Sequence, residues 1–317
     1  MIPIFHTRCL TRGGNGPVGC RLQAALFLLL LMGAVDMRAG GKSYADVEYG
    51  RATGYGLLLD AHVPEGHGPF PAVILVHGGA WVTGDRKRSV EPLFRPLSDA
   101  GFAWFSISYR LSNVANPKST PTVAASAALL GGAVDDVRAA VDYVRMHASN
   151  YNIDPHRIAL VGESAGAQLA AVAALKPWPD GAVQAVVGFY CPSDLAGLIQ
   201  TMPMIPASLR RAVKGTPFEA MLGAYLREQS PINWVREDAP PFLLIHGTAD
   251  TVVPFQQSVD FCSALRKAGS SCDLYPVNGG GHGLRWWEPA ERLTEYKPYM
   301  VRWLSQELTP LKAHNRR

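Results

Sequence analysis

From residue 44 onward, short apolar runs alternate with longer segments whose apolar residues recur at helical spacing. Two β-rich stretches, 44–49 and 55–63, come first and flank a glycine-containing turn. The apolar run 72–76 ends in a glycine loop, and 90–100 reads as a helix. A strand over 102–109 precedes a helix over 134–148, whose apolar positions 134, 137, 141 and 144 follow the 3.6-residue period. Strands at 158–161 and 183–189 enclose a small-residue helix at 165–175. A strand at 242–245, a helix at 255–268, a strand at 273–277 and a helix over about 289–308 complete the pattern. Apolar runs joined by helices predict βαβ units, hence an α/β fold: a mostly parallel sheet with helices on both faces. Residues 193–235, rich in Pro, Met, Leu and Arg, break the alternation with helix-like pieces and no strand. Inserted at the carboxyl edge of a sheet, they suit a small helical lid or, equally, an extra pair of packing helices.

Composition changes this picture at the amino terminus. The chain has 317 residues, 48% of them hydrophobic, enough for a large core. Of its net charge of +4, most belongs to residues 1–39, where Arg8, Arg12, Arg21 and Arg38 stand against Asp36. The remainder is nearly neutral and carries no charge block, so no nucleic-acid partner is expected. Three of those arginines precede LQAALFLLLLMGAV, 14 residues with one polar member, and small residues follow up to Ala39-Gly40-Gly41. This order predicts a secretory signal over 1–39, a single domain over 40–317, and a secreted or periplasmic location. An uncleaved membrane anchor is the alternative; against it, the run falls short of the ~20 residues a spanning helix needs. Cys20 precedes the apolar run, the wrong side for lipidation. Without the leader Cys191, Cys262 and Cys272 remain, and in an oxidising compartment the last two can pair. Spacing alone leaves that open. No cysteine–histidine cluster has zinc spacing, and no metal or cofactor is expected.

In an α/β sheet, ligands bind beyond the carboxyl ends of the strands, so the loops that follow strands are read together: HGGAW (77–81), GESAG (162–166), HGTAD (246–250) and GGGHG (279–283). A serine hydroxyl is a weak nucleophile unless a base takes its proton and its oxygen projects clear of the surface. A sharp strand-to-helix turn projects it, and Gly162 and Gly166 remove the side chains that would clash around Ser164. An acid and then a histidine should follow in the chain, as Asp250 and His282 do, each just past a strand. Ser164, His282 and Asp250 are therefore the candidate nucleophile, base and orienter. An acyl oxygen gaining charge needs donors, and the backbone N–H groups of Gly79, Ala80 and Ala165 are the candidates. His77 and His246 are read as ordering their own loops rather than reacting. Trp81, Tyr190, Trp286 and Trp287 suit a pocket wall or ordinary core, and Glu163 is available to orient its neighbours.

Taken in order, HGGAW, GESAG, HGTADTVVP and GGGHG resemble the α/β-hydrolase superfamily over about residues 43–308. Within it they are similar to hormone-sensitive-lipase-like carboxylesterases and bacterial feruloyl and acetylxylan esterases. The resemblance implies a cofactor-free serine carboxylesterase acting on short-acyl or hydroxycinnamoyl esters, small or attached to polysaccharide. It also implies that Asp85, in WVTGD, supports its loop. Many lipase-like relatives have a third glycine where Ala80 stands, so HGGAW leans toward the esterase and formamidase branches. Two other readings fit the same fold: an arylformamidase or exopeptidase-like amide hydrolase on the same triad, and a non-catalytic binding module.

Overall fold

Strands β1 (Gly41–Ala52), β2 (Tyr55–Pro64), β3 (Phe70–Val76), β4 (Ala103–Ile107), β5 (Ile153–Glu163), β6 (Ala185–Phe189), β7 (Phe242–Gly247) and β8 (Cys272–Val277) form one sheet. Their order is β1-β2-β4-β3-β5-β6-β7-β8. β2 runs antiparallel to β1 and β4, and every other neighbouring pair is parallel. The computed structural model describes residues 40–309 except 53–54, 113–122, 179–182, 202–210 and 212–213. The leader expected over 1–39 lies outside the described residues.

The central strands are apolar throughout because both faces are covered. In β3, Ala72, Ile74 and Val76 join one core cluster, whereas Val73 and Leu75 join the other, the two-residue alternation of a pleated strand. The α-helices among the described residues are α1 (Phe94–Asp99), α2 (Val123–Met146), α3 (Ala165–Leu175), α4 (Leu195–Thr201), α5 (Pro217–Glu228), α6 (Gln256–Lys267), α7 (Leu284–Trp287) and α8 (Tyr296–Glu307). α2, α3 and α6 cover the first face, and α1, α7 and α8 the second. Phe102, Phe105, Phe189, Phe242 and Phe261 are almost fully buried between these layers. Each such ring stabilises the fold by roughly 1.5–3 kcal/mol on leaving water, so the layers are stable enough to hold strained loops at their edge.

The strand order also locates the site. From β3 the chain moves to β4 on one side, while β5 lies on the other. The loops leaving β3 and β5 therefore part at a switch point, where an open α/β sheet leaves a crevice.

Two expected helices have different bounds. The one over 289–308 is two pieces, a 3-10 turn at Glu291–Leu293 and then α8. Thr294 Oγ1 donates back to Glu291 O at 2.8 Å, a local bond that competes with continued helix. α2 begins well before residue 134 and runs through Gly131-Gly132. A Cβ on Gly132 would lie 2.4 Å from Arg110 Nη1, so the glycine makes room for Arg110 to pair with the buried Asp136. Residues 193–235 hold α4, α5 and a 3-10 turn at Pro231–Trp234. Among the described residues no helix is long and apolar enough to cross a membrane.

Cys262 on α6 and Cys272 at the start of β8 are joined by a disulfide, with their Cα atoms 5.5 Å apart. The pairing that spacing left open is thus made, clipping a helix to the strand after it. A bridge closing so short a loop stabilises by about 3 kcal/mol in the chain-entropy view. Replacing both cysteines by serine is expected to lower the unfolding free energy by about 2–3 kcal/mol in urea titration. An unchanged midpoint would mean that the bridge restrains nothing in the unfolded chain.

Candidate active site

β5 ends at Glu163 and α3 begins at Ala165, so the whole turn falls on Ser164, whose φ of 53° and ψ of −120° are unusual for a residue with a side chain. Such a backbone costs on the order of 1–3 kcal/mol and persists only where its surroundings fix it. Here they do. A Cβ on Gly162 would sit 2.4 Å from Gly166 O, and one on Gly166 would sit 2.2 Å from Val76 O. Backbone meets backbone at both places, and Ser164 N–H donates to Phe189 O at 3.0 Å, tying the turn to β6.

His282 Nε2 lies 3.0 Å from Ser164 Oγ, and its Nδ1 lies 2.7 Å from Asp250 Oδ2. A carboxylate only accepts, so Nδ1 carries the proton and Nε2 presents a lone pair to the serine hydroxyl. The loops bearing the two residues are bonded to each other: Ala249 N–H donates to Gly280 O at 3.0 Å, and Gly279 N–H to Thr248 Oγ1 at 3.0 Å. Trp287 Nε1–H donates to Gly281 O at 2.9 Å, holding the residue before the histidine.

The Asp250 side chain is fully buried. Burial alone would raise its carboxyl pKa. Against that, it accepts from His246 and His282 and from the Val253 N–H, and these hold it well below the usual carboxylate range. Val252 N–H at 2.8 Å and Val253 N–H at 2.9 Å both donate to Oδ1. His246 approaches Oδ2 at 3.5 Å, while its Nε2 is 2.9 Å from Val253 O. The shorter bond to Val253 is the dominant one, and the Nε2 proton leans on Asp250 secondarily. Its Nδ1 accepts from Ser258 Oγ at 2.7 Å.

The loop after β3 is strained along its length, with φ of 119° at Gly79, 51° at Ala80, 63° at Trp81 and 103° at Gly84. A Cβ on Gly79 would lie 2.1 Å from Thr83 O. Gly79 O accepts from Val82 and Thr83, closing the turn. Ala165, the first residue of α3, has an N–H with no acceptor inside its helix, as every first helical residue does. The structure thus brings the Gly79–Ala80 loop and the head of α3 to the same carboxyl edge as Ser164.

Glu163 joins these pieces in a way the sequence did not announce. Its buried carboxyl accepts from Gly78 N–H at 3.0 Å and from Tyr190 O–H at 2.5 Å. The Tyr190 hydroxyl in turn accepts from Leu284 N–H at 2.9 Å, two residues past His282. Glu163 and Tyr190 together therefore link the loop after β3, the serine turn, the end of β6 and the histidine loop. The available signal was an acidic residue at the end of an apolar strand, since a buried carboxyl must find donors.

Burial raises the Glu163 pKa, and the bonds from Tyr190 and Gly78 and the charge of His282 only partly offset it. The folded state then holds this proton more tightly than the unfolded one, so stability falls as pH rises from the ordinary carboxylate pKa to the raised value. Glu163→Gln is expected to lose that slope in thermal denaturation scanned across pH. Glu163→Ala leaves Gly78 N–H and Tyr190 O–H without a partner, at about 1–3 kcal/mol each, and should melt well below both.

The remaining candidates divide clearly. His77 is buried, with Nδ1 2.7 Å from Gly78 O and its ring stacked on Tyr109. Asp85 Oδ1 accepts from the N–H of Lys87 at 2.8 Å and of Arg88 at 3.0 Å, supporting the turn after the loop. Tyr190 and Trp287 are fully buried core, and Trp286 is 78% exposed. Trp81 is half-buried and donates to Gln168 Oε1 at 2.9 Å, while Gln168 Nε2–H donates to Gln229 O at 2.7 Å.

A serine so placed on a parallel sheet of this order is the hallmark of the α/β-hydrolase superfamily, and the comparisons with known proteins agree. The chain belongs to the BD-FAE family, whose model matches residues 59–265. It is 34% identical over 219 residues to the "Probable carboxylic ester hydrolase LipM" of Mycobacterium tuberculosis, covering 66% of this chain and 48% of that protein. It is 33% identical over 222 residues to "Esterase LipQ" of the same organism, covering 67% and 49%. The chain thus spans about half the length of the curated relatives it matches. Among solved structures it superposes on a "Truncated form of carbohydrate esterase from gut microbiota" with a TM-score of 0.66 at 29% identity, covering 85% of this chain and 97% of that one. Thermogutta terrifontis Est2, at 23% identity and a TM-score of 0.65, shares the fold, covering 87% and 95%.

Proposed function

We propose that this chain is a secreted serine carboxylesterase that hydrolyses short-acyl or hydroxycinnamoyl esters, small or carried on polysaccharide, through an acyl-enzyme. The observation that carries the reading is the continuous relay from Ser164 Oγ through His282 to the buried Asp250, at 3.0 and 2.7 Å. Ser164 Oγ attacks the ester carbonyl carbon as its proton passes to His282 Nε2. The carbonyl oxygen takes the negative charge, and the N–H groups of Gly79, Ala80 and Ala165 receive it. As the C–O bond to the alcohol breaks, His282 returns the proton to the departing oxygen. Water then enters, gives its proton to Nε2 and attacks the acyl carbon; the C–Oγ bond breaks as Nε2 passes that proton to Ser164 Oγ, which frees the acid. Asp250, held ionised by its donors, stabilises the charged imidazole in both halves.

The similar structure described as a carbohydrate esterase supports a sugar-borne ester. The disulfide supports export, since such bridges persist in oxidising compartments. The described parts of the 193–235 insertion, α4 and α5, are read as the lid. The test is turnover of p-nitrophenyl acetate and acetate release from acetylated xylan, with mass analysis after an organophosphonate. Turnover with one adduct on Ser164 is expected. Folded protein that takes no label and turns over neither substrate would refute the esterase and favour a binding module.

A further inference from the structure

The loop after β3 does not end at the oxyanion candidates. It continues to Lys87 and Arg88, which with Glu91 and Arg285 of α7 line a separate pocket of about 290 Å³. Three cations therefore face one carboxylate. Lys87 is shared, its Nζ 3.3 Å from Asp46 and 4.0 Å from Asp60. Among the described residues no carboxylate pairs with Arg88 or Arg285. The turn presenting Lys87 and Arg88 is fixed, because Asp85 binds the backbone N–H of both.

Arg88 and Arg285 are both exposed, and their planar guanidinium groups offer bidentate donors to an incoming carboxylate. A uronic acid unit of a glycan carries such a carboxylate. The hollow is small and open, with room for one such unit. Arg285 is three positions after His282, so their Cα atoms lie within about 11 Å.

We infer that Arg88 and Arg285 form a second subsite, which binds a carboxylate-bearing sugar of the glycan whose neighbouring unit presents its ester to Ser164. This rests on the esterase reading and narrows its substrate class to esters on acidic glycans. The guanidinium forks hold the carboxylate. Binding there orients the chain without touching the reacting atoms, so it acts through KM.

The experiment uses two acetylated xylo-oligosaccharides matched in acetyl content, one bearing a glucuronic acid branch and one without. For the parent at low salt, kcat/KM is expected to favour the acidic one by about tenfold, the worth of two partly exposed charge pairs. The preference should reside in KM, shrink as salt rises, and fall toward one in Arg88→Gln/Arg285→Gln. The ratio is the readout, so general damage to the protein cancels. Equal use of both by a parent that hydrolyses p-nitrophenyl acetate overturns the subsite and leaves the esterase. Failure on the aryl ester as well overturns the esterase reading. The subsite is then judged by calorimetric titration of the deacetylated acidic oligosaccharide into Ser164→Ala: binding that the arginine changes abolish keeps it, and no binding removes it. Co-sedimentation with phosphatidylserine vesicles and no preference between the glycans would reassign these cations to a lipid surface and overturn the inference.

Discussion

Asp250→Asn is expected to lower kcat on an aryl ester by about 10⁴ with little change in KM. The reason lies in what surrounds the carboxylate. Val252 N–H and Val253 N–H both point at Oδ1, so an asparagine must place its carbonyl oxygen there. Its NH₂ then takes the position of Oδ2, facing His282 Nδ1 at 2.7 Å and His246 Nε2 at 3.5 Å. A donor facing Nδ1 forces the His282 proton onto Nε2, which then meets Ser164 Oγ with a proton instead of a lone pair. The fold survives while the base is in the wrong tautomer. Ser164→Ala should cost about 10⁶, and adding Asp250→Asn to it almost nothing more, since the three residues act as one unit. Stability carries a second signature. The depressed Asp250 pKa means that the parent gains stability as pH rises through the ordinary carboxylate range and loses it as pH falls toward the folded value. The asparagine variant lacks that slope. A kcat within tenfold of the parent would remove Asp250 from the relay.

The meeting of Ser164, His282 and Asp250 was legible in the sequence because each residue is announced locally. A serine between glycines, an aspartate five residues past an apolar strand and a histidine among glycines all follow strands, and a parallel sheet puts such ends on one edge. The sheet itself was legible for the same reason, since runs like 158–161 and 242–245 are apolar on both faces. The bonds between loops were not. Glu163 meets Gly78 and Tyr190 across 85 and 27 residues, and no periodicity encodes such a meeting. Helix bounds failed where tertiary packing outweighed propensity: Gly131-Gly132 reads as a weak point until Arg110 is seen lying over Gly132. Trp286 and Trp287 look alike in sequence, yet one is bare and the other buried, because adjacent residues on a helix face different directions.

Gly166→Ala tests the same architecture from the backbone side. In an ordinary helix, alanine in place of glycine stabilises by about 0.5–1 kcal/mol. Gly131, on α2, has nothing within 4 Å of its would-be Cβ and should behave that way. Gly166 should do the opposite. Its Cβ would lie 2.2 Å from Val76 O and 2.4 Å from His77 O, backbone atoms at the root of the loop after β3. Neither side can yield cheaply: α3 is buried along its length, and the loop is pinned through Gly78 to Glu163. Relief must come from sliding the loop away from the helix head, which parts Gly79 and Ala80 from Ala165. We therefore expect a loss of about 3 kcal/mol or more in urea titration, the range of overpacked cores, together with a fall in kcat of at least about 10², as when one oxyanion donor is lost. Gly131→Ala, unfolded in parallel, controls for the residue type itself. If Gly166→Ala kept parental stability and turnover, the close approach of loop and helix would not be what builds the site. If it lost stability but kept kcat in the folded fraction, the contact would hold the fold without aiming the donors.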